Sequence, residues 1–109
     1  MNEKILVFSR CPSHDEALRV ARALVEKRLA ACVTVIPGAV SIYRWQGEIE
    51  QSSEQVLLIK TRRDLFASLK DELTAIHSYE VPEIIALPVV EGARSYIDWI
   101  DKELKDTTE

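Results

Sequence analysis

The sequence predicts an α+β domain of the ferredoxin-like β-α-β-β-α-β type, extended by a C-terminal helix. Three observations carry that prediction. Two stretches repeat apolar residues at helical spacing, apolar runs of strand length lie before, between and after them, and two of those runs are joined by the turn dipeptide Gln46-Gly47. All 109 residues are assigned to one domain, since a chain of this length supports one core.

The elements follow in order. Lys4 to Phe8 is a short apolar run bounded by Ser9-Arg10-Cys11-Pro12-Ser13 and reads as a buried strand. Ser13 and Glu16 form a capping box, and Ala17, Val20, Ala21, Leu24 and Val25 make the helical stripe behind it. Ala31 to Ile36 and Ala39 to Trp45 read as one long strand kinked at Pro37-Gly38. It pairs across Gln46-Gly47 with the segment running from Glu48 to Lys60, which makes an extended hairpin. On its first arm Ser41, Tyr43 and Trp45 share one face, while Val40, Ile42 and Arg44 share the other. Thr61 with Asp64 offers a second cap, before the stripe Leu65, Phe66, Leu69, Leu73 and Ile76 that ends at His77. Pro82 forces an extended entry to a strand over Ile84 to Val90, and Tyr96, Ile97, Trp99, Ile100 and Leu104 form the last helix. The outer half of the hairpin, with Tyr43, Trp45 and Ile49, is longer than the other strands can cover, and a lone two-stranded ribbon is marginal in water. Another copy of the chain is the expected cover.

Composition excludes several classes. Hydrophobic residues at 47% and charged residues at 29% describe a globular protein. A net charge of −4 argues against nucleic acid or an anionic membrane as partner, and no apolar stretch reaches a signal or membrane-span length, so a cytoplasmic setting is expected. Cys11 and Cys32 form no Cys-x-x-Cys unit, which removes a tetrathiolate zinc site and a redox dithiol. Cys32, inside Leu29-Ala30-Ala31-Cys32-Val33, reads as a core residue, and Cys11 beside Pro12 as accessible. An enzyme needs a nucleophile held close to a base, and beyond Cys11 the two histidines show no Ser or Cys partner in a recognisable pattern, so no enzyme activity is expected.

Four segments, "LVEKRLAACVTVIPG" (24–38), "SIYRWQGEIE" (41–50), "LLIKT" (57–61) and "YEVPEIIALPV" (79–89), resemble in order and spacing those of the CutA divalent-cation tolerance proteins. The resemblance runs from about residue 5 to residue 100. It implies a homotrimer of ferredoxin-like subunits whose hairpins pack edge to edge, an architecture similar to the PII-type signalling proteins that bind small effectors in inter-subunit clefts. It also implies a role in tolerance of copper and other divalent cations, without a family enzyme activity.

For a metal, the resemblance places a histidine ligand at His77 and a cysteine ligand at the position of Ser9. Cys11 lies two residues further along the same strand face and is the candidate replacement. Thiolate with imidazole suits Cu(I), and imidazole with Glu80 or Glu83 suits Cu(II) or Zn(II). His77 reads equally as a polar residue at a helix C-terminus. The family's usual proline after this histidine is Ser78 here, which frees the loop from a fixed φ. For an effector, Tyr43, Trp45, Lys60, Tyr79 and Glu83 match characteristic family positions and line the expected inter-subunit cleft, Lys60 taking an anionic group. The same residues also read as structure, Tyr43 and Trp45 as interface anchors and Lys60 with Glu83 as an ion pair.

Overall fold

In the computed structural model, which describes residues 3–106, four strands and three helices follow the predicted order. They are β1 (Lys4–Cys11), α1 (His14–Glu26), β2 (Cys32–Trp45), β3 (Glu48–Arg62), α2 (Phe66–Ile76, entered through a 3₁₀ turn at Arg63–Leu65), β4 (Ile85–Pro88) and α3 (Arg94–Glu103). The sheet is antiparallel with strand order β2-β3-β1-β4. Each β-α-β crossover therefore skips one strand, β3 in the first and β1 in the second, which is the split βαβ arrangement.

Alternation along β1 decides where the core sits. Ile5, Val7, Ser9 and Cys11 face the helices together with Leu57, Ile59 and Thr61 across the β3 ladder, and all are buried. Ala17, Val20, Ala21 and Leu24 of α1, then Leu65, Leu69 and Leu73, cover that face, as their spacing predicts. The opposite face carries Leu6, Phe8 and Leu58, and on β4 Ile85 and Leu87 remain 55% and 50% exposed. α3 closes one end: Ile100 and Leu104 enter the core, while Asp101 receives Lys4 at 3.0 Å and Arg62 at 3.3 Å. Tyr96 and Trp99, expected in the stripe, stay partly exposed.

β1 pairs only with residues 55–62 of β3, so Ala39–Trp45 and Glu48–Glu54 project as a two-stranded ribbon beyond the rest of the sheet. Its turn has φ of 50° at Gln46 and 84° at Gly47, the double left-handed pair that a two-residue hairpin of this twist requires. At Pro37-Gly38 the strand continues with a register shift, because proline gives no ladder donor and Gly38, at φ 82°, absorbs the extra residue. Ile42 and Ile49 of the ribbon are 67% and 63% exposed in the single chain.

Four local expectations differ. Ser13 does cap α1, its Oγ accepting the Glu16 N–H at 3.2 Å, but Glu16 does not reach back; its carboxylate accepts the Ser78 N–H at 2.9 Å. Thr61 does not cap α2, because its hydroxyl donates to the Leu29 carbonyl at 2.7 Å and Asp64 takes the Arg62 guanidinium instead. The final ladder stops at Pro88, with one more bond from Val89 N–H to Lys4 O. The cysteines exchange environments. Alternation carries Cys11 into the core, whereas Cys32 stands opposite Lys60 on the open face, partly buried, with Ala30 and Ala31 filling the core positions before it.

Candidate functional site

The end of β1 supplies two adjoining sites, because successive strand residues point to opposite faces. Cys11 turns inward beneath α1 and the α2 C-terminus. Arg10 turns outward beneath the ribbon.

On the inner side, His77 caps α2 and its ring is fully buried. Its Nε2 lies 3.7 Å from the Cys11 sulfur, and its Nδ1 lies 3.5 Å from the Glu16 carboxylate. The three donor atoms fall within 4.8 Å of one another. Hydrogen bonds assign the ring's tautomer: Nε2 donates to the Arg10 carbonyl at 2.6 Å, and Nδ1 accepts the Tyr79 N–H at 3.0 Å. Burial, and after it the neighbouring Glu16, push the Cys11 thiol up to about 12. Glu16 moves the other way. Burial raises its pKa, but hydrogen bonds from Ser78 and the nearby Arg19 charge outweigh that and hold the carboxyl below its usual value.

A thiol, an imidazole and a carboxylate are a donor set for a thiophilic or borderline ion such as copper or zinc. The spacing of two of these donors, the Cys11 sulfur and His77 Nε2, is compatible with one. A tetrahedral ion with metal-sulfur and metal-nitrogen distances of about 2.3 and 2.0 Å holds those donors about 3.5 Å apart, close to the 3.7 Å between Cys11 and His77. An ion held at Nε2 would replace that nitrogen's bond to the Arg10 carbonyl, and the Nε2 proton would have to pass to Nδ1, which here accepts the Tyr79 N–H; Glu16 would then orient the imidazole from behind, as outer-shell carboxylates do at histidine sites.

On the outer side, Arg10 Nε pairs with Glu83 at 2.7 Å, and its Nη1 lies 3.0 Å from Glu54 and contacts the Ser41 hydroxyl. The Tyr79 hydroxyl donates to the other Glu54 oxygen at 2.6 Å. Burial raises the Glu54 carboxyl, yet the bonds from Tyr79 and Ser41 and the Arg10 charge outweigh it and keep it ionised below the ordinary range; burial and Glu54 together push the Tyr79 phenol up. Tyr43 and Trp45 from the ribbon close this into a cleft of about 320 Å³.

Of the residues expected to line an inter-subunit cleft, Tyr43, Trp45, Tyr79 and Glu83 line this cleft within the single chain. Lys60 does not; its ammonium donates to Thr34 at 2.7 Å and lies 3.7 Å from the Cys32 sulfur. Glu83's ion-pair partner is accordingly Arg10 rather than Lys60. His77 and Cys11 lie side by side, while Glu83, also expected as a ligand, stays with Arg10 on the cleft side, and the carboxylate beside His77 is Glu16, at Nδ1. Ser9 lies buried in the core, its hydroxyl without a hydrogen-bond partner among the described residues. Sequence reasoning missed Glu16, Arg10 and Glu54. Glu16 had a local explanation as a capping residue, and a lone arginine or a polar-strand glutamate carries no pattern of its own.

Residues 5–103 match the family model of the CutA1 divalent ion tolerance protein. The chain is 51% identical over 100 residues to the divalent-cation tolerance protein CutA of Thermus thermophilus, covering 92% of this chain and 95% of that one. It is 50% identical over 93 residues to human protein CutA, and there it spans only 52% of the relative's length. The solved Thermus thermophilus CutA1 structure superposes with a TM-score of 0.91 at 48% identity, covering 94% of this chain and 99% of that one. A structure described as the periplasmic divalent cation tolerance protein CutA of Archaeoglobus fulgidus superposes with the same score of 0.91 at 40% identity, again over 94% and 99%. With that much of the chain matched in both sequence and fold, the protein belongs to the CutA1 divalent ion tolerance family.

Proposed function

We propose that this protein serves divalent-cation tolerance as a cytoplasmic homotrimer that binds a thiophilic metal ion, copper or zinc, through Cys11 and His77. The observation that carries the reading is the 3.7 Å approach of the Cys11 sulfur to His77 Nε2, with Glu16 placed behind Nδ1. The role is binding rather than catalysis. A buried thiol raised to about 12 is the reverse of an activated nucleophile, and only a metal or a displaced proton brings out its thiolate. The trimer is supported by the uncovered ribbon and by the apolar sheet face around Phe8, Ile85 and Leu87. Among the described residues no helix is long and apolar enough to cross a membrane.

The test is competitive binding of Cu(I) under reduction, Cu(II) and Zn(II) to the intact assembly, beside Cys11→Ser and His77→Ala, with far-UV circular dichroism as a control on folding. Micromolar or tighter binding lost in either folded variant is the expected result. Weak binding unchanged by both substitutions overturns the metal reading.

A second reading, a PII-like scaffold or sensor that binds a small effector in the cleft, is favoured by the convergence of Tyr43, Trp45, Tyr79 and Glu83 around a defined volume.

A further inference from the structure

We infer that the cleft beneath the ribbon binds a small organic cation, an amine or guanidinium on a short apolar stem. The inference rests on the second reading above for the cleft itself and adds the class of ligand. It is independent of any metal at Cys11 and His77.

Charge is the first argument. Three carboxylates, Glu54, Glu80 and Glu83, line the cleft against the single guanidinium of Arg10. Arg10 is already ion-paired with Glu83 at 2.7 Å and Glu54 at 3.0 Å, so its single positive charge is offset by two carboxylates before any anion arrives, although its buried Nε has no aligned hydrogen-bond acceptor among the described residues. Glu80 makes no ion pair among the described residues and stands exposed at the rim. The cleft therefore holds uncompensated negative charge beside low-dielectric walls, which attracts cations and repels anions.

The walls are the second argument. Trp45 and Tyr43 present half-exposed aromatic rings on the ribbon side, and Tyr79 is pinned by its bond to Glu54. Aromatic faces flanked by carboxylates are the environment in which a desolvated ammonium or guanidinium gains both quadrupole attraction and charge-assisted hydrogen bonds. A bare metal ion would find in this cleft no thiol or imidazole and only one carboxylate clear of Arg10. A molecule with an apolar stem fills the volume of about 320 Å³ and buries the rings as well.

Strand alternation keeps the cleft compatible with assembly. Ser41, which touches Arg10, shares its ribbon face with Tyr43 and Trp45, whereas Val40 and Ile42 face away and are the residues offered to a neighbouring copy.

The test is a titration of intact protein carrying Trp99→Phe, so that fluorescence reports Trp45, with agmatine and tetramethylammonium as cationic probes and butyrate and inorganic phosphate as anionic ones at matched ionic strength. Saturable change with agmatine and none with the anions is expected, and Glu83→Gln and Tyr43→Leu should each weaken agmatine about tenfold. Saturation by phosphate or butyrate instead would overturn the assignment of charge while leaving the cleft as an effector site. No saturable response to any probe, in protein that still folds by circular dichroism, would overturn the inference together with the cleft reading, and Cu(I) competition on the same samples reports separately on Cys11 and His77.

Discussion

Arg10 and His77 meet at the end of β1, where the His77 Nε2–H donates to the Arg10 carbonyl at 2.6 Å. Since the Arg10 side chain pairs with Glu54 and Glu83, and His77 Nδ1 takes the Tyr79 N–H, one imidazole ties the buried donor set to two walls of the cleft. Removing it leaves a carbonyl and an amide without partners in a mostly buried place. His77→Ala should therefore cost about 2 to 4 kcal/mol, read from urea unfolding midpoints at constant m-value. A loss under about 0.5 kcal/mol would mean that water takes over both bonds.

Metal at Nε2 requires the ring proton to move to Nδ1, which ends the bond from Tyr79. Zinc titration followed by ¹⁵N NMR should shift the Tyr79 amide and convert His77 from the Nε2–H to the Nδ1–H tautomer. Glu16→Gln should weaken binding by about tenfold or more, as losing an outer-shell carboxylate does. Unchanged His77 nitrogen shifts at saturating zinc would place the ion elsewhere.

The two thiols should react at very different rates. Cys32 is partly exposed, and Cys11 is fully buried with its pKa pushed up to about 12 by burial and Glu16. One equivalent of thiol should react with Ellman's reagent in the native state and two in denaturant, and Cys32→Ser should abolish the native reaction. Fast labelling of the Cys32→Ser variant would show that the β1 end opens readily.

Stability should fall at both ends of the pH scale. Glu16 and Glu54 ionise below the ordinary 4.5 in the folded chain, so their contribution is present above that value and is lost as pH falls through their folded pKa values. Cys11, raised from 9.0 to about 12, acts in the opposite sense: its contribution is intact below 9.0 and is lost as pH rises from there toward 12. Thermal melts across pH should show both slopes, with Glu54→Gln flattening the acid limb and Cys11→Ala the alkaline one.

The ribbon should govern assembly without governing the fold. Ile42 is 67% exposed in the single chain, so Ile42→Asp leaves the core untouched and places a charge on the face offered to a neighbouring copy. Light scattering should report a trimer for the parent and smaller species for the variant, with helix content retained. A monomeric parent at micromolar concentration would remove the assembly argument.

The sequence by itself determined the order of elements, both core helices, the kink at Pro37-Gly38, the Gln46-Gly47 turn and the overlong hairpin. These are legible because hydrophobic period, turn chemistry and proline's missing donor act among neighbouring residues. His77 and Cys11 entered as candidates only through the family resemblance. Tertiary structure alone decided the rest. Glu16 matched the i+3 spacing of a capping box, yet its carboxylate bonds Ser78, 62 positions away, and backs His77. Arg10 and Glu54 become partners only because the β1–β3 register ends beside them. Cys11 is buried and Cys32 half-exposed because strand alternation, counted from the core, overrides the polarity of their immediate neighbours. Side-chain contacts between distant segments are set by register and by which face a strand buries. A short window of sequence does not contain that information.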